Sequence, residues 1–237
     1  MKPRELIATA VVPGGDELRL FRRGSDFMIV LGSNELMYSR MSGSEEALAD
    51  LACARLRDRP ASHVLIGGYG MGFTLRAALR HLPSNASVTV AELVPQVLDW
   101  AHGPMAQLTA GCLDDPRVEV IVDDVATLIG RASSTFDAIL LDVDNGPDAL
   151  SRSGNDRLYA RTGLKAALNA LVPGGRLAIW SAAPDREFTR RLELSGFGVE
   201  EVHVRARSNG KGPRHTIWLA ERRQVAGLPM SEMGRPN

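Results

Sequence analysis

Hydrophobic and polar positions alternate in two rhythms along this chain. Over residues 5–40 the runs "ELIATAVV", "ELRLFRR", "DFMIVLG" and "LMYSR" are short and β-rich, and "PGGD", "RGSD" and "GSN" separate them with turn chemistry. They predict a small antiparallel sheet. "SGSEEALADLACARLRDRP" then takes up a helical period, with Ser at its start, acids in its first turn, arginines in its last and Pro60 beyond. After Pro60, apolar strands and helices alternate. "HVLIG" leads to a helix over 71–82, "SVTVAEL" to one over 95–110, and "RVEVIVD" to a short one near 124–131. "FDAILLD" leads through a long loop to a helix over 157–171, and "GRLAIWSA" to one over 184–195. Apolar strands spaced by helices make a parallel sheet covered on both faces. "GVEEVHVRAR" and "RHTIWLAER", joined by "SNGKGP", end the alternation as a hairpin.

Five strand–helix units and a terminal hairpin predict an α/β chain with a methyltransferase-type Rossmann fold. The expected sheet has about seven strands, mostly parallel, with the last strand inserted antiparallel. The chain divides into a small β-region over 1–42, the Rossmann domain over 43–223 and a flexible tail over 224–237.

Composition narrows the partners. The 237 residues leave room for a substantial core, and 44% hydrophobic with 24% charged residues is an ordinary soluble balance. The 28 basic and 28 acidic residues cancel, so no net charge draws the chain to nucleic acid or an anionic membrane. Cys53 and Cys112 lie far apart in sequence and form neither a disulfide framework nor a metal spacing. With no signal-peptide core at the amino terminus and no run of ~18 apolar residues, a cytoplasmic protein is expected.

In an open α/β sheet, ligands bind beyond the carboxyl ends of the strands. The first strand after Pro60 ends in "GGYGMG", residues 67–72. Its Gly68, Gly70 and Gly72 read G-x-G-x-G, and Phe73 stands where a dinucleotide fingerprint has its third glycine. That favours a ligand without a pyrophosphate, such as S-adenosylmethionine, over NAD. The second strand ends in Glu92, placed to accept from both ribose hydroxyls. The third offers Asp123 to an adenine amine, and Asp124 to cap the next helix. The fourth ends in "LLDVDNGPDAL", where Asp142 is placed to take a proton from an attacking amine. Asp144 and Asn145 serve equally well as turn formers that bond their own backbone. The five histidines show no metal spacing and read as structural, no metal is expected, and Trp180 suits either a pocket wall or the core.

These stretches, from "VLIGGYGMGFTLRAALRHL" through "VTVAEL", "VEVIVDD" and "FDAILLDVDNGP" to "LVPGGRLAIWSA", resemble the spermidine synthase family of aminopropyltransferases. The resemblance implies that Gly68, Gly70 and Gly72 line a nucleoside, Glu92 holds its ribose and Asp123 its adenine. Asp142 would be the catalytic aspartate, decarboxylated S-adenosylmethionine the donor, a small amine the acceptor and a homodimer the assembly. The family's Tyr-His-Glu or Tyr-Gln-Glu appears here as "SEE", Ser44 to Glu46, which places Glu46 with Asp144 and Asn145 on the acceptor side. "DVDNGP" is shorter than the family's Asp-Ser-Ser-Asp-Pro-x-Gly-Pro, and "LGSNELM" replaces Leu-Asp-Gly-x-x-Gln. These departures fall on the acceptor half and predict that putrescine is a poor substrate. Two alternatives use the same nucleoside pocket: methyl transfer from S-adenosylmethionine to a small molecule, and nucleoside binding without catalysis.

Overall fold

A computed structural model describes residues 3–143 and 156–224; Asp144, Asn145 and the tail from 225 lie outside the described residues. The amino-terminal runs form β1 (Glu5–Val11), β2 (Glu17–Arg23), β3 (Asp26–Leu31) and β4 (Asn34–Tyr38), an antiparallel sheet in sequential order. Strand alternation sends Leu18, Leu20, Ile29 and Leu31 to one buried face, with Leu20 opposite Ile29 in the register.

The rest of the chain runs α1 (Gly43–Cys53), β5 (His63–Gly67), α2 (Phe73–His81), β6 (Ser87–Ala91), α3 (Pro95–His102), α4 (Ala106–Thr109) and β7 (Val118–Ile121). Then come α5 (Val125–Arg131), β8 (Phe136–Leu141), α6 (Asp156–Tyr159), α7 (Arg161–Ala170), β9 (Leu171–Ser181), α8 (Arg186–Leu194), β10 (Phe197–Arg205) and β11 (Arg214–Arg222). Seven strands make one sheet in the order β10-β11-β9-β8-β5-β6-β7. β6, β5, β8 and β9 pair in parallel, β7 joins β6 in parallel, and β11 runs antiparallel to both β9 and β10. The hairpin is thus part of the main sheet, as the pattern predicts.

The chain leaves β5 toward β6 and β7, then returns to the other side of β5 with β8. The strand order therefore reverses between β5 and β8, and a crevice opens above their carboxyl ends. Period-two alternation fixes the layers on either side. Val64 and Ile66 face the cluster shared with the amino-terminal sheet, α1, α2 and α3, while Leu65 faces the cluster under α5, α7 and α8.

Four helices differ from the pattern, each for a local reason. The span 95–110 breaks into α3 and α4 around Gly103 and Pro104, where proline disfavours helical backbone at the residue before it. The span 157–171 breaks at Ala160, which is extended (ψ 160). α2 starts at Phe73, because Gly70 and Gly72 hold positive φ angles of 55° and 76°. α1 ends at Cys53, so the arginines expected in its last turn fall in and beyond a 3-10 turn over Ala54–Leu56.

Candidate active site

The glycine corner after β5 is fixed by backbone bonds to its neighbours. The Gly68 N–H donates to the Ala91 carbonyl at 2.9 Å, and the Asp142 N–H donates to the Gly67 carbonyl at 3.0 Å. Gly68 has φ 84°, and a Cβ there would stand 2.5 Å from the Asp142 carbonyl oxygen. At Gly70 a Cβ would strike the Met37 sulfur, which β4 lays over the loop. Both positions require glycine because backbone and roof pass so close. Gly68 and Gly70 line the cleft. Gly72, named with them from the sequence, does not: it precedes α2 and packs against the Tyr69 hydroxyl and Cys112.

Glu92 is buried at the end of β6. Its Oε2 accepts from the Tyr69 N–H and its Oε1 from the Val94 N–H, both at 2.9 Å. The carboxyl lines the cleft. Burial raises the Glu92 carboxyl above its ordinary pKa, against the stabilising backbone N–H bonds. Past β7, Asp123 accepts from the Asp124 N–H at 2.7 Å, and Asp124 accepts from the Ala126 N–H at 2.8 Å as the N-cap of α5. Asp124 is the cap predicted for it, and both acids line the cleft. Val12, Leu18, Ile29, Leu31, Leu36 and Met37 form an aliphatic wall from the amino-terminal sheet.

Besides Glu92, Asp123 and Asp124 the cleft holds a second carboxylate centre. Asp142 follows β8 and accepts from the Thr74 hydroxyl of α2 at 2.7 Å. Its neighbour is Glu45 of α1, buried and lining the same cleft. Burial pushes Glu45 upward, the negative charge of Asp142 pushes it further, and a hydrogen bond from Ser44 opposes both. Burial also pushes Asp142 upward, against the Thr74 bond. Two carboxyls so enclosed retain a proton where free carboxyls have lost theirs, and that proton belongs to the pair. Such a pair suits a cation: an ammonium replaces the proton, and either oxygen set can later accept one from it. Trp180 of β9 walls the cleft beside them, its ring nitrogen buried and without a partner among the described residues.

The sequence pointed to Glu46, and the structure places Glu45 in the cleft instead. Glu46 turns toward α2, where Arg80 lies 3.5 Å away. Asp144 and Asn145, the other acceptor-side positions, lie outside the described residues. Among the described residues no helix is long and apolar enough to cross a membrane.

The strand order, with β11 antiparallel beside β9 and the crevice above β5 and β8, defines a methyltransferase-like Rossmann protein carrying an amino-terminal β-sheet. More narrowly, the chain belongs to the family of the spermine/spermidine synthase domain, which it matches over residues 41–185. It is 31% identical over 159 residues to polyamine aminopropyltransferase 1 of Streptomyces coelicolor, covering 64% of this chain and 29% of that protein. It is 28% identical over 198 residues to the polyamine aminopropyltransferase of Mycobacterium tuberculosis, covering 79% of this chain and 36% of that one. The chain thus spans about a third of the length of these relatives. Among solved structures, spermidine synthase from Thermotoga maritima superposes with a TM-score of 0.73 at 19% identity, over 92% of this chain and 72% of that one. A spermidine synthase in complex with the transition state analogue AdoDATO gives 0.72 at 20% identity, over the same shares of the two chains. These likenesses support the fold.

Proposed function

We propose that this chain transfers an aminopropyl group from decarboxylated S-adenosylmethionine to a small amine. The observation that carries the reading is the buried Glu45–Asp142 pair, set in the same cleft as Glu92 and Asp123. Methyl transfer to a neutral acceptor has no use for two buried carboxyls, whereas an amine acceptor arrives as a cation and must lose a proton before it can attack. In this reading Glu92 accepts from the ribose hydroxyls, Asp123 from the adenine amine, and Gly68 and Gly70 let the nucleoside lie against backbone. The ammonium enters the acid pair as the pair gives its proton to solvent. Asp142 then takes a proton from the ammonium, and the freed nitrogen lone pair attacks the propyl carbon bound to sulfur. The new N–C bond forms as the C–S bond breaks, its electron pair neutralises the sulfonium, and methylthioadenosine leaves.

Three things support the reading: membership of the family, relatives named polyamine aminopropyltransferase, and a structural neighbour that is a spermidine synthase in complex with a transition state analogue. The test offers the chain both decarboxylated and ordinary S-adenosylmethionine with a panel of amines. Methylthioadenosine formed from the decarboxylated donor is the expected product, with putrescine outpaced by other amines. S-adenosylhomocysteine formed from the ordinary donor would move the chain to methyl transfer. Tight donor binding with neither product would leave it a nucleoside-binding relative.

A further inference from the structure

Ser44 and His215 have no part in the scheme above, yet Ser44 hydrogen-bonds the Glu45 carboxyl and His215 hydrogen-bonds Ser44. The Ser44 hydroxyl donates to Glu45 Oε2 at 2.7 Å, and His215 Nδ1 lies 2.9 Å from the same hydroxyl oxygen. We infer that Ser44 and His215 are positioning residues: a chain from the His215 ring through the Ser44 hydroxyl orients the Glu45 carboxyl beside Asp142, the acid that takes the amine's proton.

The direction of the chain follows from valence. A serine hydroxyl has one proton, and at Ser44 it is given to Glu45 Oε2. The serine oxygen then accepts from the ring, so Nδ1 must carry hydrogen. Burial holds His215 below its ordinary pKa, so near neutral pH the ring is uncharged and locked in the Nδ1–H tautomer. The Trp180 ring meets it edge-on with centroids 4.7 Å apart, which fixes the imidazole plane beside the cleft. Ser44 itself is fully buried as the second residue of the helix, where its hydroxyl caps nothing. A buried serine facing a carboxyl at one side and an imidazole at the other is placed to orient the acid.

The charged groups around Glu45 leave this chain as its specific support. Asp142 faces it from the end of β8 and takes its own hydrogen bond from Thr74 of α2. On α1 itself, Glu46 and Asp50 turn to Arg80 and His81 of α2. On β10, His203 is engaged by Thr216 and Glu201, and β9 contributes Trp180. Glu92, Asp123 and Asp124 line the same cleft on its nucleoside side. Each acid of the pair thus has one hydroxyl donor, Ser44 for Glu45 and Thr74 for Asp142. Among the described residues only the Ser44 hydroxyl is backed by a second donor.

Two measurements test the inference, and the first needs no activity. Long-range nitrogen–proton correlation spectra of the His215 ring should show Nδ1–H in the wild type. Ser44→Ala should shift the ring toward Nε2–H, and Ser44→Thr should restore Nδ1–H. If Ser44→Ala fails to fold, Glu45→Leu serves, since a serine without its acceptor donates to Nδ1 and reverses the tautomer. An Nε2–H ring in the wild type, or no change in the variants, overturns the chain.

The second measurement rests on the aminopropyl-transfer reading. Loss of the serine donor raises the Glu45 carboxyl, so the acid limb of kcat/KM for the amine should move to higher pH in Ser44→Ala. Below that limb the value should fall about tenfold, while Ser44→Thr keeps the wild-type profile and donor affinity is unchanged. An unmoved limb, or equal losses in the alanine and threonine variants, contradicts the positioning role. Should no amine react while the tautomer follows the variants, the chain stands and the transfer reading falls.

Discussion

At Glu45 and Asp142 the cost of burying charge is set by pH. Both carboxyls are held above their ordinary range, first by burial and, at Glu45, next by the charge of Asp142. The folded protein therefore keeps protons that the unfolded chain has released, and its stability falls as pH rises through the window between the ordinary and the raised values. Melting followed from about pH 5 to about pH 9 should show this decline in the wild type. Glu45→Gln keeps the shape, removes one charge and should flatten the decline, becoming the more stable form at the alkaline end. Parallel curves would show that the two acids are not a buried pair. The sequence held a signal for Glu45 that the family pattern obscured. Adjacent helical residues point about 100° apart, and Glu45 lies three, four and seven positions before buried Leu48, Ala49 and Ala52. Glu46 lies four before Asp50, on the polar side with Arg80. The apolar stripe, not the resemblance, says which acid turns inward.

The same separation of local from distant information governs the elements. Asp185 at the start of α8 accepts from the Glu187 and Phe188 N–H groups at 2.8 and 3.0 Å. These bonds hold in place a helix whose Phe188 and Leu192 are fully buried and whose Phe188 ring meets Trp218 at 5.0 Å. Asp185→Ala should cost about 0.5–2 kcal/mol of stability by denaturant titration, with donor affinity unchanged, because α8 contributes nothing to the cleft. A loss of donor binding would mean that the helix and the cleft are coupled. Strand identity and the inserted β11 were legible because both depend on short-range period and on turns. The break between α6 and α7 was not, because Ala160 is extended without any proline or glycine to announce it. At Gly103 and Pro104 the announcement was present, so that boundary was within reach of the sequence.

Across the whole molecule, one cleft is built from parts of different legibility. Glu92, Asp123 and Asp142 each end a strand, so fold topology alone brings them to one edge, and all three line the cleft with Gly68 and Gly70. The aliphatic roof comes from β-strands of the first sheet, and Met37 over Gly70 or Glu45 beside Asp142 is a contact across many residues that no local pattern records. In the proposed function this cleft has a nucleoside side held by Glu92 and an amine side run by Asp142, and the division is measurable on two variants. Donor affinity by calorimetry and turnover with the best amine are taken together for Glu92→Ala and Asp142→Asn. Glu92→Ala should weaken donor binding by about 1–3 kcal/mol through lost charged hydrogen bonds. Asp142→Asn should leave donor binding nearly intact and cut turnover by about 10²–10⁴-fold, the usual worth of a general base. If Asp142→Asn keeps its turnover, or if both variants lose donor affinity alike, Asp142 is not the residue that takes the proton and the division of the cleft is wrong.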